Sequence, residues 1–139
     1  NFGAIARTAE SAGVGGLIVV KRGQAPASDV AISASAGALL HARIARVANL
    51  ADSLQRLRKQ ELWVVGLAAD GGQPWYHYDY SQPLVLVVGS EGRGLRPRVR
   101  ENCDAVVSLP QHGQVQSLNV SVAIGILLYE VVRQRGLQG

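Results

Sequence analysis

A glycine-rich stretch follows an apolar run two thirds of the way along the chain. Leu84–Val88 contains only leucine and valine, a pattern typical of a strand buried on both faces of a parallel sheet. Residues 89–94 then supply three glycines, which let backbone amides approach a ligand closely. The spacing fits neither a dinucleotide fingerprint nor a P-loop. We therefore expect a ligand loop of another kind, with a plain turn as the alternative.

A second polar stretch, residues 117–121, follows an apolar run that ends at Pro110. Ser117 is the predicted N-cap of a long helix running to about Arg135. The apolar residues of this helix cover more than one stripe, so both of its sides should be buried. We expect one side to pack on the core and the other to lie at a subunit interface.

The elements that position these stretches alternate between helices and strands. Helices are predicted at residues 1–12, from Ser28 to near Gly37, at 50–60 and at 117–135, and strands at 17–20, 43–47, 63–67, 84–88 and 105–109. This alternation predicts an α/β fold with a mostly parallel sheet flanked by helices.

Composition limits the class of protein. A chain of 139 residues with 47% hydrophobic and 17% charged residues fits one globular domain. The apolar runs are shorter than the roughly 18 residues of a membrane span, so no membrane association is expected. The only cysteine, Cys103, forms no metal-ligand cluster with His41, His77 or His112 in the sequence, which predicts no metal site. A net charge of +4 favours a polyanionic partner.

Three stretches in order, residues 1–9, 89–95 and 117–123, resemble the three motifs of the SpoU (TrmH-like) RNA ribose 2′-O-methyltransferases. Residues 37–51 are most similar to the branch that methylates a guanosine of 23S rRNA. The resemblance implies a C-terminal deep trefoil knot, S-adenosylmethionine as cofactor, a homodimer and a cytoplasmic location. It also implies that residues 1–139 are a single catalytic domain, a fragment lacking an N-terminal RNA-recognition domain.

The resemblance further implies which residues form the site. The catalytic set carried over by position is Asn1, Arg7, Glu91, Ser117 and Asn119. The implied cofactor contacts are Gly89, Leu109 and Leu118, and the family usually has Met where Gln111 stands. Ser117 and Asn119 can instead cap the last helix, and the two leucines can instead be core residues. In each case both roles are compatible.

Arg7 requires a chemical argument, because removing a ribose 2′-hydroxyl proton calls for a base. Arginine stays protonated, with a pKa above about 12. We therefore expect Arg7 to bind a neighbouring phosphate or to stabilise the developing alkoxide, and general-base action is the alternative.

Four arginines follow the glycine loop within eight residues: Arg93, Arg96, Arg98 and Arg100. They form either a solvated basic face or an RNA-binding surface. Contacts with RNA phosphates would add affinity and salt dependence without base specificity.

The leading function is therefore S-adenosylmethionine-dependent methylation of a ribose 2′-hydroxyl, in rRNA first and in tRNA second. A catalytically silent module for RNA binding or dimerisation is the rival from another class. A nicotinamide-binding domain is disfavoured, because the glycine spacing does not fit it.

Overall fold

The computed structural model describes residues 2–21, 43–90, 93–115 and 118–136. The helix predicted between Ser28 and Gly37 lies outside the described residues. Two compact units make up the chain, residues 1–50 and residues 51–139. Among the described residues, no helix is both long and apolar enough to cross a membrane.

The first unit contains helix α1 (Phe2–Ser11) and strands β1 (Leu17–Val20) and β2 (Ile44–Val47). The two strands pair in parallel, with Leu17 opposite Ile44. Helix α1 ends as predicted, because Gly13 adopts a φ of +80°, a left-handed conformation that glycine adopts at little cost. Strand β1 has the predicted bounds, and Val19 is its one buried residue.

The second unit is built on a four-stranded parallel sheet. Its strands are β3 (Trp63–Leu67), β4 (Gln73–Pro74), β5 (Leu84–Val88) and β6 (Ala105–Ser108), in the spatial order β4-β6-β3-β5. Strand β3 is central and buries every residue after Trp63, as its apolar run predicts.

The prediction that β5 is buried on both faces is only partly right, because four of its five residues are intermediate in burial. Within the described sheet β5 pairs with β3 alone, so it lies at an edge. Val87 is its only fully buried residue. A run of leucine and valine indicates a strand but does not say how many neighbours that strand has.

Among the described residues, three α-helices belong wholly or mainly to this unit, α2 (Leu50–Lys59), α3 (Pro97–Glu101) and α4 (Val120–Gly136), and a short 3-10 helix spans Trp75–His77. Ala51 and Leu54 on α2 are buried. Pro97 begins α3 after an extended Arg96, which suits the missing N–H and fixed φ of proline.

The carboxyl end of α4 fixes the segment that leads into β5. Gln134 donates to the Tyr78 carbonyl at 2.9 Å and accepts from the Tyr80 amide at 2.8 Å. Arg135 donates to the carbonyls of Tyr80 and Gln82. Glu130 is also buried here, at 5% exposure. The polar residues of this last turn thus connect the helix to a stretch without regular structure.

Candidate functional site

A cavity of about 330 Å³ opens at the carboxyl ends of β3, β5 and β6. Leu67 and Val88 end two of these strands at its wall, and Leu109 follows the third. Leu118 and Val120 line it from the beginning of α4. The carboxyl ends of parallel strands are where open α/β sheets usually hold ligands, and the volume is within the range of ligand pockets. We refer to it as the carboxyl-edge cavity.

The three positions predicted as cofactor contacts come together in this cavity. Gly89, Leu109 and Leu118 all line it. Leu109 is buried at 8% exposure, whereas Leu118 is 40% exposed. Leu109 therefore also belongs to the core, and Leu118 presents an apolar side chain that this chain leaves partly uncovered.

The glycine loop closes on itself beside the cavity. Gly94 donates to the Ser90 carbonyl at 2.9 Å and has a φ of +63°. A Cβ added to Gly89 would lie 2.0 Å from the Gly94 carbonyl oxygen. Two of the three glycines are thus required by the closure of the loop itself. Glu91 and Gly92 lie outside the described residues.

Comparison with known proteins decides which family this arrangement belongs to. The model of the SpoU rRNA methylase family matches residues 1–129. The chain belongs to the SpoU rRNA methylase family. The resemblance that the three motifs predicted is confirmed, and so is the α/β fold with a parallel sheet flanked by helices. The trefoil knot stays a prediction.

Two relatives illustrate how near the SpoU matches are. The chain is 42% identical over 139 residues to the putative TrmH family tRNA/rRNA methyltransferase YacO of Bacillus subtilis, covering 100% of this chain and 56% of that protein. It is 45% identical over 135 residues to the 23S rRNA (guanosine-2′-O-)-methyltransferase RlmB of Pseudomonas putida, covering 97% and 54%. The chain therefore spans about half the length of these relatives.

Solved structures of the SpoU family share the fold. The SpoU methyltransferase AviRb from Streptomyces viridochromogenes, in complex with the cofactor AdoMet, superimposes with a TM-score of 0.90 at 31% identity, over 99% of this chain and 56% of that one. The A. aeolicus TrmH/SpoU tRNA modifying enzyme also gives 0.90, at 33% identity, over 99% and 70%.

Asn119 stands where the third SpoU motif meets α4. The predicted N-cap at Ser117 lies two residues too early, because α4 begins at Val120. Asn119 Oδ1 accepts from the Ser121 amide at 2.9 Å, and the Ser121 hydroxyl donates to the same oxygen. Asn119 is therefore the N-cap, which satisfies an amide that the helix leaves unpaired. Its side chain sits directly after cavity-lining Leu118.

The other catalytic positions predicted from the motifs are placed less completely. Arg7 lies on α1 in the first unit with an exposed side chain. Its backbone carbonyl accepts from the Ser11 hydroxyl at 3.0 Å. Asn1, Glu91 and Ser117 lie outside the described residues, so their roles stay predictions.

The four predicted RNA-binding arginines differ in their surroundings. Arg93 is exposed and lines the carboxyl-edge cavity. Arg96 is exposed and precedes α3. Arg98 pairs with Asp52 at 3.3 Å. Arg100 lines the cavity and contacts Asp70. These arginines are thus not one uniform basic face.

Two polar residues of the cavity wall had no specific functional prediction. Asp70 follows β3, and Gln111 follows β6 beyond Pro110. Their signal in the sequence is positional, because each comes shortly after an apolar strand of a parallel sheet. Gln111 makes the wall polar where the family usually has Met.

The contacts of Cys103 indicate a structural role. Its thiol donates to the Val99 carbonyl at 3.4 Å, and a Cβ on Gly66 would lie 2.8 Å from its sulfur. Burial, reinforced by Asp104, raises the pKa of the Cys103 thiol, against a smaller opposite effect of Arg100. A thiol that stays protonated is a poor nucleophile, so we interpret Cys103 as a packing residue.

A larger depression, about 1020 Å³, lies at the amino ends of the same strands and includes the half-exposed Trp63. It is open and lined partly by charged residues from the end of α2, among them Arg58, which pairs with Asp104 at 3.0 Å. None of the described motif residues lines it. The carboxyl-edge cavity is therefore the candidate site.

Proposed function

We propose that this domain transfers a methyl group from S-adenosylmethionine to a ribose 2′-hydroxyl of RNA. The observation that carries the proposal is the convergence of Gly89, Leu109 and Leu118 on one cavity at the carboxyl edge of the sheet. Membership of the SpoU family and the AdoMet complex of its structural relative AviRb support it.

The residues of the cavity fit such a cofactor. Leu109, Leu118 and Ala123 offer apolar surface for an adenine ring, and the strand ends offer backbone amides and carbonyls. Arg93 and Gln111 supply polar groups at the same wall. A pocket that is mostly apolar with a few polar groups is the usual design for small-molecule sites. When bound, the cofactor supplies an electrophilic methyl group on a sulfonium.

The chain's own residues then orient the reacting groups and stabilise the charge that develops. Arg7, a permanent cation, holds the phosphate beside the target ribose or stabilises the developing alkoxide. Asn119, held rigid by its cap to Ser121, orients the ribose or the cofactor. Because displacement at the methyl carbon is in line, this orientation supplies much of the rate.

The preferred substrate is a guanosine of 23S rRNA. The named activity of RlmB, at 45% identity, supports this choice. The printed names of YacO and of the A. aeolicus enzyme include tRNA, which is our second candidate.

A homodimer is part of the proposal. Helix α4 exposes Val122, Ile126, Tyr129 and Val132, between 37% and 52% each. Spacings of four, three and three place them on one helical face. A second copy of the chain would bury this apolar stripe. Ile126→Asp should then give a monomer by light scattering with chromatography, and Glu101→Gln, an exposed control, should not. A monomeric wild type would contradict the dimer.

Calorimetric titration with S-adenosylhomocysteine and with NAD tests the cofactor. We expect binding of the first alone, and binding of NAD alone would overturn the assignment. For activity, the full-length protein is supplied to a strain lacking it, and ribose methylation is mapped across rRNA and tRNA. A lost and restored 23S guanosine methylation supports the substrate. Unchanged methylation everywhere favours the silent-module alternative.

A further inference from the structure

One wall of the carboxyl-edge cavity is the loop between β3 and β4, residues 68–72. The sheet holds both ends of this loop. The Ala68 amide donates to the Val107 carbonyl at 3.0 Å, and a Cβ on Gly72 would lie 2.8 Å from the Val107 carbonyl carbon. The middle of the loop, at Asp70 and Gly71, therefore depends on contacts from outside the sheet.

Arg100 of α3 supplies those contacts. Its Nη2 donates to the Asp70 carbonyl oxygen at 3.2 Å, and its Nη1 lies 3.7 Å from Asp70 Oδ1. Gly71 adopts a φ of +68°, and a Cβ added there would lie 2.7 Å from Arg100 Nη2. The guanidinium thus lies directly against the middle of the loop. It hydrogen-bonds to the backbone oxygen of Asp70 and lies within ion-pair distance of that residue's carboxylate, which is 91% exposed.

Arg98 provides a contrast on the same short helix. It pairs with Asp52 of α2 at 3.3 Å, with side chains 63% and 50% exposed. The Arg100 side chain is less exposed, at 37%, and lines the cavity together with Asp70. Both arginines carry the same charge, but only one of these two contacts the cavity wall.

We propose that Arg100 is a positioning residue that holds the β3–β4 loop in the shape that admits the cofactor, and that it is not an RNA-phosphate contact. The inference rests on the proposed cofactor site. A loop tied at its ends but released in the middle opens more often. Binding must then restore its order, and the apparent affinity falls by the fraction of molecules in the competent shape.

The test compares four proteins: wild type, Arg100→Ala, Arg100→Lys and Arg98→Ala. Calorimetric titration with S-adenosylhomocysteine should show about fivefold to tenfold weaker binding for Arg100→Ala, on the order of one lost hydrogen bond. Arg100→Lys should recover part of this loss, because lysine keeps the charge but not the fork. Arg98→Ala should bind like wild type.

Hydrogen exchange gives a second readout that does not depend on the cofactor. Amides at residues 69–71 should exchange faster in Arg100→Ala and not in Arg98→Ala. Gly71→Ala, which brings a methyl group against the guanidinium, should reproduce both effects from the loop side. It also provides the test if Arg100→Ala fails to fold.

Two results would overturn the inference. One is wild-type cofactor affinity in Arg100→Ala, and the other is an equal loss of cofactor affinity in Arg98→Ala. Intact cofactor affinity with a loss of RNA binding in Arg100→Ala would assign Arg100 to a phosphate instead. If the wild type binds no S-adenosylhomocysteine, the proposed function fails along with the affinity effect. The exchange rates still decide whether Arg100 holds the loop.

Discussion

Replacing Glu130 by glutamine should destabilise the fold through the last turn of α4. The Glu130 carboxylate, with its side chain 4% exposed, accepts from Arg133 Nε at 2.7 Å and Nη2 at 2.9 Å, and from Gln134 Nε2 at 2.8 Å. Glutamine keeps the shape but turns one acceptor oxygen into a donor that faces other donors. At least one charge-assisted hydrogen bond is lost, and Gln134 is less firmly placed against Tyr80.

The size of this loss follows from the exposure of the partners. A hydrogen bond to a charged group contributes roughly 1.5–3 kcal/mol. Because the Arg133 side chain is 58% exposed, solvent screens the pair and favours the lower part of that range. We expect Glu130→Gln to lower the free energy of unfolding by about 2 kcal/mol. For a chain of this size that corresponds to a fall of roughly 8 °C in melting temperature.

The effect should depend on pH in a defined direction. The hydrogen bonds from Arg133 hold the pKa of the Glu130 carboxyl below its ordinary value, with burial acting in the opposite direction. A carboxyl with a lowered pKa in the folded state stabilises above its unfolded-state pKa, and this contribution is lost as pH falls through the folded-state pKa. The stability difference between wild type and Glu130→Gln should therefore be full above about pH 5 and shrink below about pH 4.

The assay is urea unfolding at several pH values, with Glu101→Gln as the matched control. Glu101 is exposed at the end of α3, so the same substitution there should change stability by less than about 0.5 kcal/mol. Equal effects of the two substitutions at pH 7 would refute the role of Glu130. So would a difference that grows as the pH falls.

Three further predictions concern the site. Asn119→Ala should lower the free energy of unfolding by about 1 kcal/mol in urea titrations. Asn119→Ser should restore it, because serine is also a good N-cap residue. Equal free energies for all three proteins would contradict the capping role. Arg7→Lys should keep S-adenosylhomocysteine affinity and lose most methyl transfer, since lysine cannot make a two-pronged phosphate contact, and near-wild-type turnover would exclude this role. Arg93→Gln should weaken binding of S-adenosylhomocysteine but not of 5′-methylthioadenosine if Arg93 meets the cofactor carboxylate. It should instead weaken RNA binding and lower its salt dependence if Arg93 meets a phosphate; no change in either would contradict both.

Local patterns in the sequence were sufficient for most elements of the fold. Apart from α3, which was not predicted, the described α-helices and main strands have the predicted types, and their bounds differ by at most three residues. Helix α1 ends within one residue of its predicted end, next to Gly13, because a helix end depends on neighbours within two turns. The order β4-β6-β3-β5 was not predictable in this way. It depends on pairings such as Val65 with Ala105, forty residues apart, which periodicity does not record.

The buried acid on α4 illustrates the same limit at the level of one side chain. A glutamate in a helix is normally expected to be exposed to solvent. Its burial follows from partners that only the fold supplies. Gln134, which donates to the Glu130 carboxylate, also hydrogen-bonds to the backbone of Tyr78 and Tyr80. The sequence shows that α4 has more apolar residues than one buried face needs, since this is a property of one helix. The sequence does not show which surface covers the additional apolar residues.

The glycine loop and the arginines after it show why residue type alone predicts the location of a site better than the role of each residue. Glycine suits close ligand approach and also a strained turn, because both need the Cβ to be absent. Gly89 and Gly94 meet the second need through their own contact, and that closure sets the shape beside which a ligand binds. The guanidinium of arginine likewise suits a phosphate and also a backbone carbonyl. Asp70 lies thirty residues before Arg100. Their contact forms only when β3 and α3 meet, and it is this contact that gives Arg100, which holds the wall, a different role from Arg93, which faces the cavity.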